Sequence, residues 1–125
     1  MQREEALEML QDNLKSENLL KHCYASEAVM RRLAREKGED EDLWGLTGLL
    51  HDLDLEITGD DMSVHADTAA RMLEERGEPA EMVDAVRMHN AEGLGLGELV
   101  WRHMSGQQHQ TVPISQFALW VVECL

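Results

Sequence analysis

Apolar residues in this chain recur at three- and four-residue intervals almost throughout, and the alternating Val/Ile/Thr patterns that build strands are nearly absent. An all-α domain is therefore expected. Arg3 to about Asn13 reads as a first helix. Ser16 stands where an N-cap would, ahead of a second helix from Glu17 to Lys37 that Gly38 closes. Its apolar stripe is Leu19, Cys23, Val29, Met30 and Leu33. Asp40 can cap a third helix, Glu41 to about Leu53, with Leu43, Leu46 and Leu50 on its stripe. After the loop-like stretch EITGDDMS, a fourth helix is expected from about Val64 to Arg76, stopped by Gly77. Pro79 opens a fifth that runs to about His89. Residues 90–112 carry four glycines and read as loop. Pro113 precedes a last helix, Ser115 to Leu125.

A chain of 125 residues with 43% hydrophobic content can bury one core, so a single domain over residues 1–125 is expected. Its formal net charge is −14, from 25 acidic against 11 basic residues. Such a surface repels nucleic-acid phosphates and anionic membranes, so neither is expected as a stable partner. Cys23 and Cys124 form no disulfide framework and no close metal-binding pair. The acidic start MQREEALEML lacks the character of a signal peptide, and no apolar run approaches the ~20 residues of a membrane span. A reducing cytoplasm is the expected location. The apolar end FALWVVECL either packs in this core, or marks a fragment, or docks on a second subunit. A homodimer through that helix is the assembly it permits.

Four of the six histidines fall on or beside faces that should point inward. His22 lies on the stripe of the second helix. His51 follows Leu50, one turn after Thr47. His65 precedes Ala69 by one turn, and His89 follows Ala85 and Val86 at helical spacing. Buried imidazoles need partners, and a divalent cation satisfies several at once. Asp52 directly follows His51, about 100° round the helix. Gly45 and Gly48 lie on its side and let a neighbouring helix or a substrate come close. Glu123 is the only charged residue after Pro113, among apolar neighbours where a carboxylate needs a partner or a metal. His103 and His109, in the Gly/Gln-rich stretch, read as surface residues.

These residues carry a resemblance. Three stretches, ENLLKHCYASEAVMRRLAREKGEDEDLWGLTGLLHDLDLE, VHADTAARMLEERGEPAEMVDAVRMHN and ALWVVECL, resemble the HD superfamily of metal-dependent phosphohydrolases, closest to small HDIG-type proteins. The His-Asp pair after Gly-Leu-Leu, with a His about thirty residues upstream, is the specific part. The resemblance implies a compact, HD-domain-like all-α bundle of about five to seven helices. It implies His22, His51 and Asp52 as ligands of a first metal, with Glu123 in the place of a late acid that is usually Asp. His65 and His89 resemble the extra histidines of members that hold two metals bridged by the position of Asp52. Asp54 and Glu56 resemble acids that orient ligands or handle a proton, so Asp52, Asp54 and Glu56 form the expected catalytic set. It also implies helices beyond Leu125 that would complete a substrate pocket.

One or two ions among Fe, Mn, Zn, Ni and Mg suit such ligands, and chemistry alone does not choose between them. The implied activity is hydrolysis of a phosphomonoester or nucleotide by metal-activated water, with a small phosphorylated molecule as partner. Lys21, Arg71, Arg87 and Arg102 are candidate phosphate contacts, though each reads more simply as solvated surface. Similar HD proteins hold two irons and use dioxygen, and others cleave diadenosine tetraphosphate. The GYP signature of cyclic-dinucleotide phosphodiesterases does not follow His89-Asn90, and HDLDLE does not reproduce the acidic signature of (p)ppGpp hydrolases. The rival from another class is a binding or assembly module with a vestigial site.

Overall fold

The computed structural model describes residues 1–90, which form five helices and no strand. They are α1 (Arg3–Asn13), α2 (Glu17–Lys37), α3 (Glu41–Leu50), α4 (Asp67–Glu75) and α5 (Ala80–Met88). Over the described residues, the all-α bundle expected from periodicity is what the chain adopts.

Helix boundaries follow local chemistry. Ser16 caps α2 by accepting from the Leu19 amide, and Asp40 caps α3 by accepting from that of Leu43 at 3.0 Å. Gly38, at φ 70°, takes the left-handed conformation that ends α2, and its amide and that of Glu39 return to carbonyls of the last turn. The expected third and fourth helices are shorter than their periodicity suggested. Beyond Leu50 the chain runs through turns, with Leu53 bonding back to Leu50 and Leu55 to Asp52. α4 begins only at Asp67, because Ala66 has a φ of 76° that no helix admits.

The main core joins α1, α2, α3, α4 and α5 through Leu10, Leu14, Cys23, Leu49, Leu50, Leu53, Leu73 and Val86, all fully buried. A second cluster packs Trp44 of α3 against Met30, Ala34 and Ala85. Each large side chain buried in this way stabilises the fold by roughly 1.5–3 kcal/mol. α3 lies close against α2 because it presents Gly45 and Gly48. A Cβ at Gly48 would stand 2.7 Å from Met30 Cγ and 2.9 Å from the carbonyl oxygen of Ser26. At Gly45 it would meet the Arg31 side chain at 2.5 Å. The close approach that the glycines permit is thus made by a neighbouring helix, which brings His22 to the end of α3.

The sequence expectations missed one polar feature of this packing. Glu27, buried on α2, receives both a hydrogen bond from Arg3 of α1 and one from Arg31, which also reaches Asp42 of α3. The expected last helix, residues 115–125, and the homodimer through it lie outside the described residues. Among the described residues, no helix is long and apolar enough to cross a membrane.

Candidate metal centre

Five side chains converge at one place: His22, His51, Asp52, His65 and His89. Only His22 lies within a helix. The expectation of one histidine on each of four helices is corrected here. His51 and His89 are the C-cap residues of α3 and α5, and His65 lies in the turn that leads to α4. Asp52 is likewise beyond the end of α3, where the turn lets its carboxylate swing into the cluster.

Two of these histidines are fixed by the same local device. The last carbonyls of a helix lack intrahelical partners. The His51 ring returns to one of them, Gly48 O, through Nδ1 at 2.6 Å, and His89 does the same to Val86 O at 2.5 Å. A carbonyl only accepts, so Nδ1 carries the proton in both rings and Nε2 is left pointing into the cluster. His65 reaches the same state by another route, with Nδ1 2.6 Å from Oδ1 of the fully buried Asp54. The other Asp54 oxygen accepts from the amides of Ala66 and Ala69.

Asp52 divides its two oxygens between two groups. Oδ2 lies 3.1 Å from His22 Nε2 and 3.3 Å from His51 Nε2, while Oδ1 lies 3.2 Å from His65 Nε2 and 3.3 Å from His89 Nε2. The histidines within each group are also close, at 3.2 Å for His22–His51 and 3.3 Å for His65–His89. Each group can offer three ligand atoms to one metal ion.

The chemistry of the donors fits a cation. With Nδ1 protonated, a neutral ring presents only a lone pair at Nε2. The lone pairs of His65 and His89 face each other, which is repulsive unless a proton or a metal stands between them. Nitrogens bound at about 2.0–2.1 Å in a tetrahedral site stand about 3.3–3.4 Å apart, close to the separations found here. The C-terminal ends of α3 and α5, which carry partial negative charge, add a field that favours a cation. A second proton on a ring can meet part of the same need. Burial works against a charged His65, but hydrogen bonds to Asp52 and Asp54 outweigh it and push its pKa up to about 9. Burial also works against a charged Asp52, yet His51 beside it and its close contacts with the rings of His22, His65 and His89 hold it well below the usual carboxylate range.

His22 is the most open of the five, its side chain 32% exposed, whereas the rings of His51, His65 and His89 are buried. Among the described residues, the cluster is therefore most open beside α2. Glu56 is placed elsewhere: it is exposed, and its Oε2 accepts from the amides of Lys15 and Ser16. That bond ties the turn after α3 to the junction of α1 and α2. Lys21 is exposed and pairs with Glu17, while Arg71 and Arg87 share Asp67. Glu123, Arg102, His103 and His109 lie outside the described residues.

One contact here had no place in the sequence expectations. The Asn90 amide donates to the carbonyls of Met62 and His65, at 2.9 and 3.0 Å, fastening the His65 segment to the end of α5. An Asn immediately after a candidate ligand was the available signal.

The chain is also similar to known proteins. Two curated proteins named Ribonuclease Y are similar to the chain. The one from Deinococcus radiodurans is 32% identical over 75 residues, and the one from Acholeplasma laidlawii is 30% identical over 76. The matches cover 60% and 61% of this chain but only 13% and 14% of those relatives. No solved structure matches significantly. The profile of the HD domain matches residues 19–118, from the helix that carries His22 onward, and the chain belongs to the HD domain family.

Proposed function

We propose that this chain is a two-metal phosphohydrolase whose substrate is a small phosphate ester, a phosphomonoester or a nucleotide. The observation that carries the reading is the shared carboxylate, with one Asp52 oxygen turned to His22 and His51 and the other to His65 and His89. Membership of a family of metal-dependent phosphohydrolases supports it. Divalent ions held there would supply a water of lowered pKa and would neutralise phosphoryl oxygens. The chain's own part is to hold the donors. The backbone carbonyls of Gly48 and Val86 orient two imidazoles, and Asp54 orients a third. His22, at the open edge, faces the side from which a phosphate would enter. The described arginines are engaged with carboxylates, so the positive charge that a phosphate needs is assigned to the ions.

A panel of phosphomonoesters and nucleotides, assayed with Mn, Fe, Zn, Ni and Mg in turn, tests this reading. Phosphate release that depends on a divalent ion and disappears with chelator is expected. No turnover across the panel by protein that carries its metals would refute it. Iron-dependent dioxygen consumption without phosphate release would replace it with oxygenase chemistry.

A second reading takes the relatives' name at its word and assigns an RNA phosphodiester as substrate. The net charge of −14 weighs against a long polyanion as a tightly held ligand. An oligoribonucleotide included in the same panel separates the two. Cleavage of the oligomer in preference to mononucleotides would favour the second.

A further inference from the structure

The two halves of the cluster are built differently. His22 and His51 belong to, or directly cap, helices α2 and α3, and the ring of His51 is pinned by its own helix. His65 has no helical frame, since it sits in the turn before α4 and is followed by Ala66 at φ 76° and ψ −39°. That conformation, near the rare γ-turn, is unfavourable for an alanine and persists only where surrounding contacts enforce it. Asp54 supplies such contacts on both sides. Its Oδ2 holds the Ala66 amide at 2.7 Å and the Ala69 amide at 2.8 Å, and its Oδ1 holds His65 Nδ1 at 2.6 Å. The N-cap position of α4 is an alanine without a capping side chain, so Asp54 caps that helix from outside it.

We propose that Asp54 is a positioning residue that selectively sets the affinity of the second half-site, formed by Asp52, His65 and His89, by fixing the ring and tautomer of His65. The proposal rests on the two-metal reading above. Asp54 is fully buried and spends its oxygens on His65, Ala66 and Ala69. It couples the start of α4 to the one imidazole in the cluster that has no helix of its own. Asn90 secures the backbone of the same residue through the His65 carbonyl, which leaves the ring to Asp54.

The substitution Asp54→Asn isolates the effect. The new amide oxygen can still accept from Ala66 and Ala69, but its NH2 then faces His65 Nδ1. Two donors cannot meet, so the proton of His65 moves to Nε2 and blocks the metal-facing nitrogen. The full chain, stripped with chelator, is titrated with Zn(II) by calorimetry, and its zinc content is counted. Wild type is expected to take two ions. Asp54→Asn should weaken the second by about 10–100-fold, the usual effect of losing an outer-shell partner, and leave the first unchanged. Adding Ala66→Gly separates positioning from mere folding. Glycine adopts the positive φ freely and should recover stability lost in Asp54→Asn, while the second zinc stays weak.

A further readout needs no variant. In the zinc-loaded wild type, long-range proton–nitrogen NMR should place the His65 proton on Nδ1. Two equally tight ions in Asp54→Asn, recovery of the second ion by Ala66→Gly, or a His65 proton on Nε2 would each overturn the proposal. Wild type that binds fewer than two ions would instead overturn the two-metal reading on which it rests.

Discussion

Asp52 is the residue on which both triads depend, so its loss should differ in kind from the loss of any histidine. Asp52→Ala removes a ligand atom from each half-site at once. Metal content should fall toward zero, and activity should fall by more than the ~10–100-fold typical of an outer-shell partner. His22→Ala or His89→Ala should each remove one ion and leave the other measurable by elemental analysis. Equal loss of both ions in every variant would mean that the halves do not bind independently. A second residue-scale prediction concerns Glu27, which is only 4% exposed. Burial opposes its charge, but hydrogen bonds from Arg3 and Arg31 outweigh that and lower its pKa. A carboxylate with a depressed folded pKa contributes stability that is present above the unfolded value of about 4.3. That stability is lost as pH falls through the folded pKa. Glu27→Gln should therefore cost about 1.5–3 kcal/mol at neutral pH, the range for hydrogen bonds to charged groups. The gap from wild type should narrow below about pH 4.3 in denaturation curves. A gap independent of pH would show that the ionised form of Glu27 contributes nothing.

At the scale of elements, α2 and α3 form the rigid half of the site, and the two glycines of α3 set their distance. The obstacles a methyl group would meet differ at the two positions. At Gly48 it meets the backbone of Ser26 as well as Met30, and backbone cannot give way cheaply. At Gly45 it meets the side chain of Arg31, whose far end can move, although only by disturbing its bonds to Glu27 and Asp42. Gly48→Ala should cost about 1–3 kcal/mol or more by overpacking, and Gly45→Ala should cost less. Because Gly48 also supplies the carbonyl that orients His51, only Gly48→Ala should weaken the first ion. Thermal melts and zinc titrations of the two variants check the order. The helices themselves were readable from the sequence because caps and stops such as Ser16, Gly38 and Asp40 act over three or four residues. The ends of α3 and α4 were not. The leucine run continues past Leu50 whether or not the backbone stays helical, and the positive φ of Ala66 is imposed by Asp54 from outside the segment. For the same reason the identities of the clustered histidines were legible as inward-facing residues, while the way each ring is aimed was not. For His51 and His89 that depends on carbonyls freed where the helices stop; for His65 the resemblance implied Asp54 as an orienting acid but not which ring it holds.

Across the whole molecule, the cluster draws on α2, the end of α3, the turn before α4 and the end of α5. An ion there joins parts of the chain far apart in sequence, so ligation should report as global stability. A ligand that binds only the folded state stabilises it by RT ln(1 + [L]/Kd), about 2.7 kcal/mol at a hundredfold excess over Kd. For a domain of this size each kcal/mol shifts Tm by several degrees, so a rise on the order of 10 °C is expected on adding zinc or manganese to chelated protein. A chain of net charge −14 is also relieved by any cation that screens its self-repulsion. The comparison must therefore be made against NaCl at ~0.1 M, where the Debye length is already ~10 Å. Screening should move Tm modestly and equally in wild type and Asp52→Ala. The larger, saturable rise with micromolar divalent ion should occur in wild type alone. If both proteins respond alike, the stabilisation belongs to the acidic surface and not to the cluster.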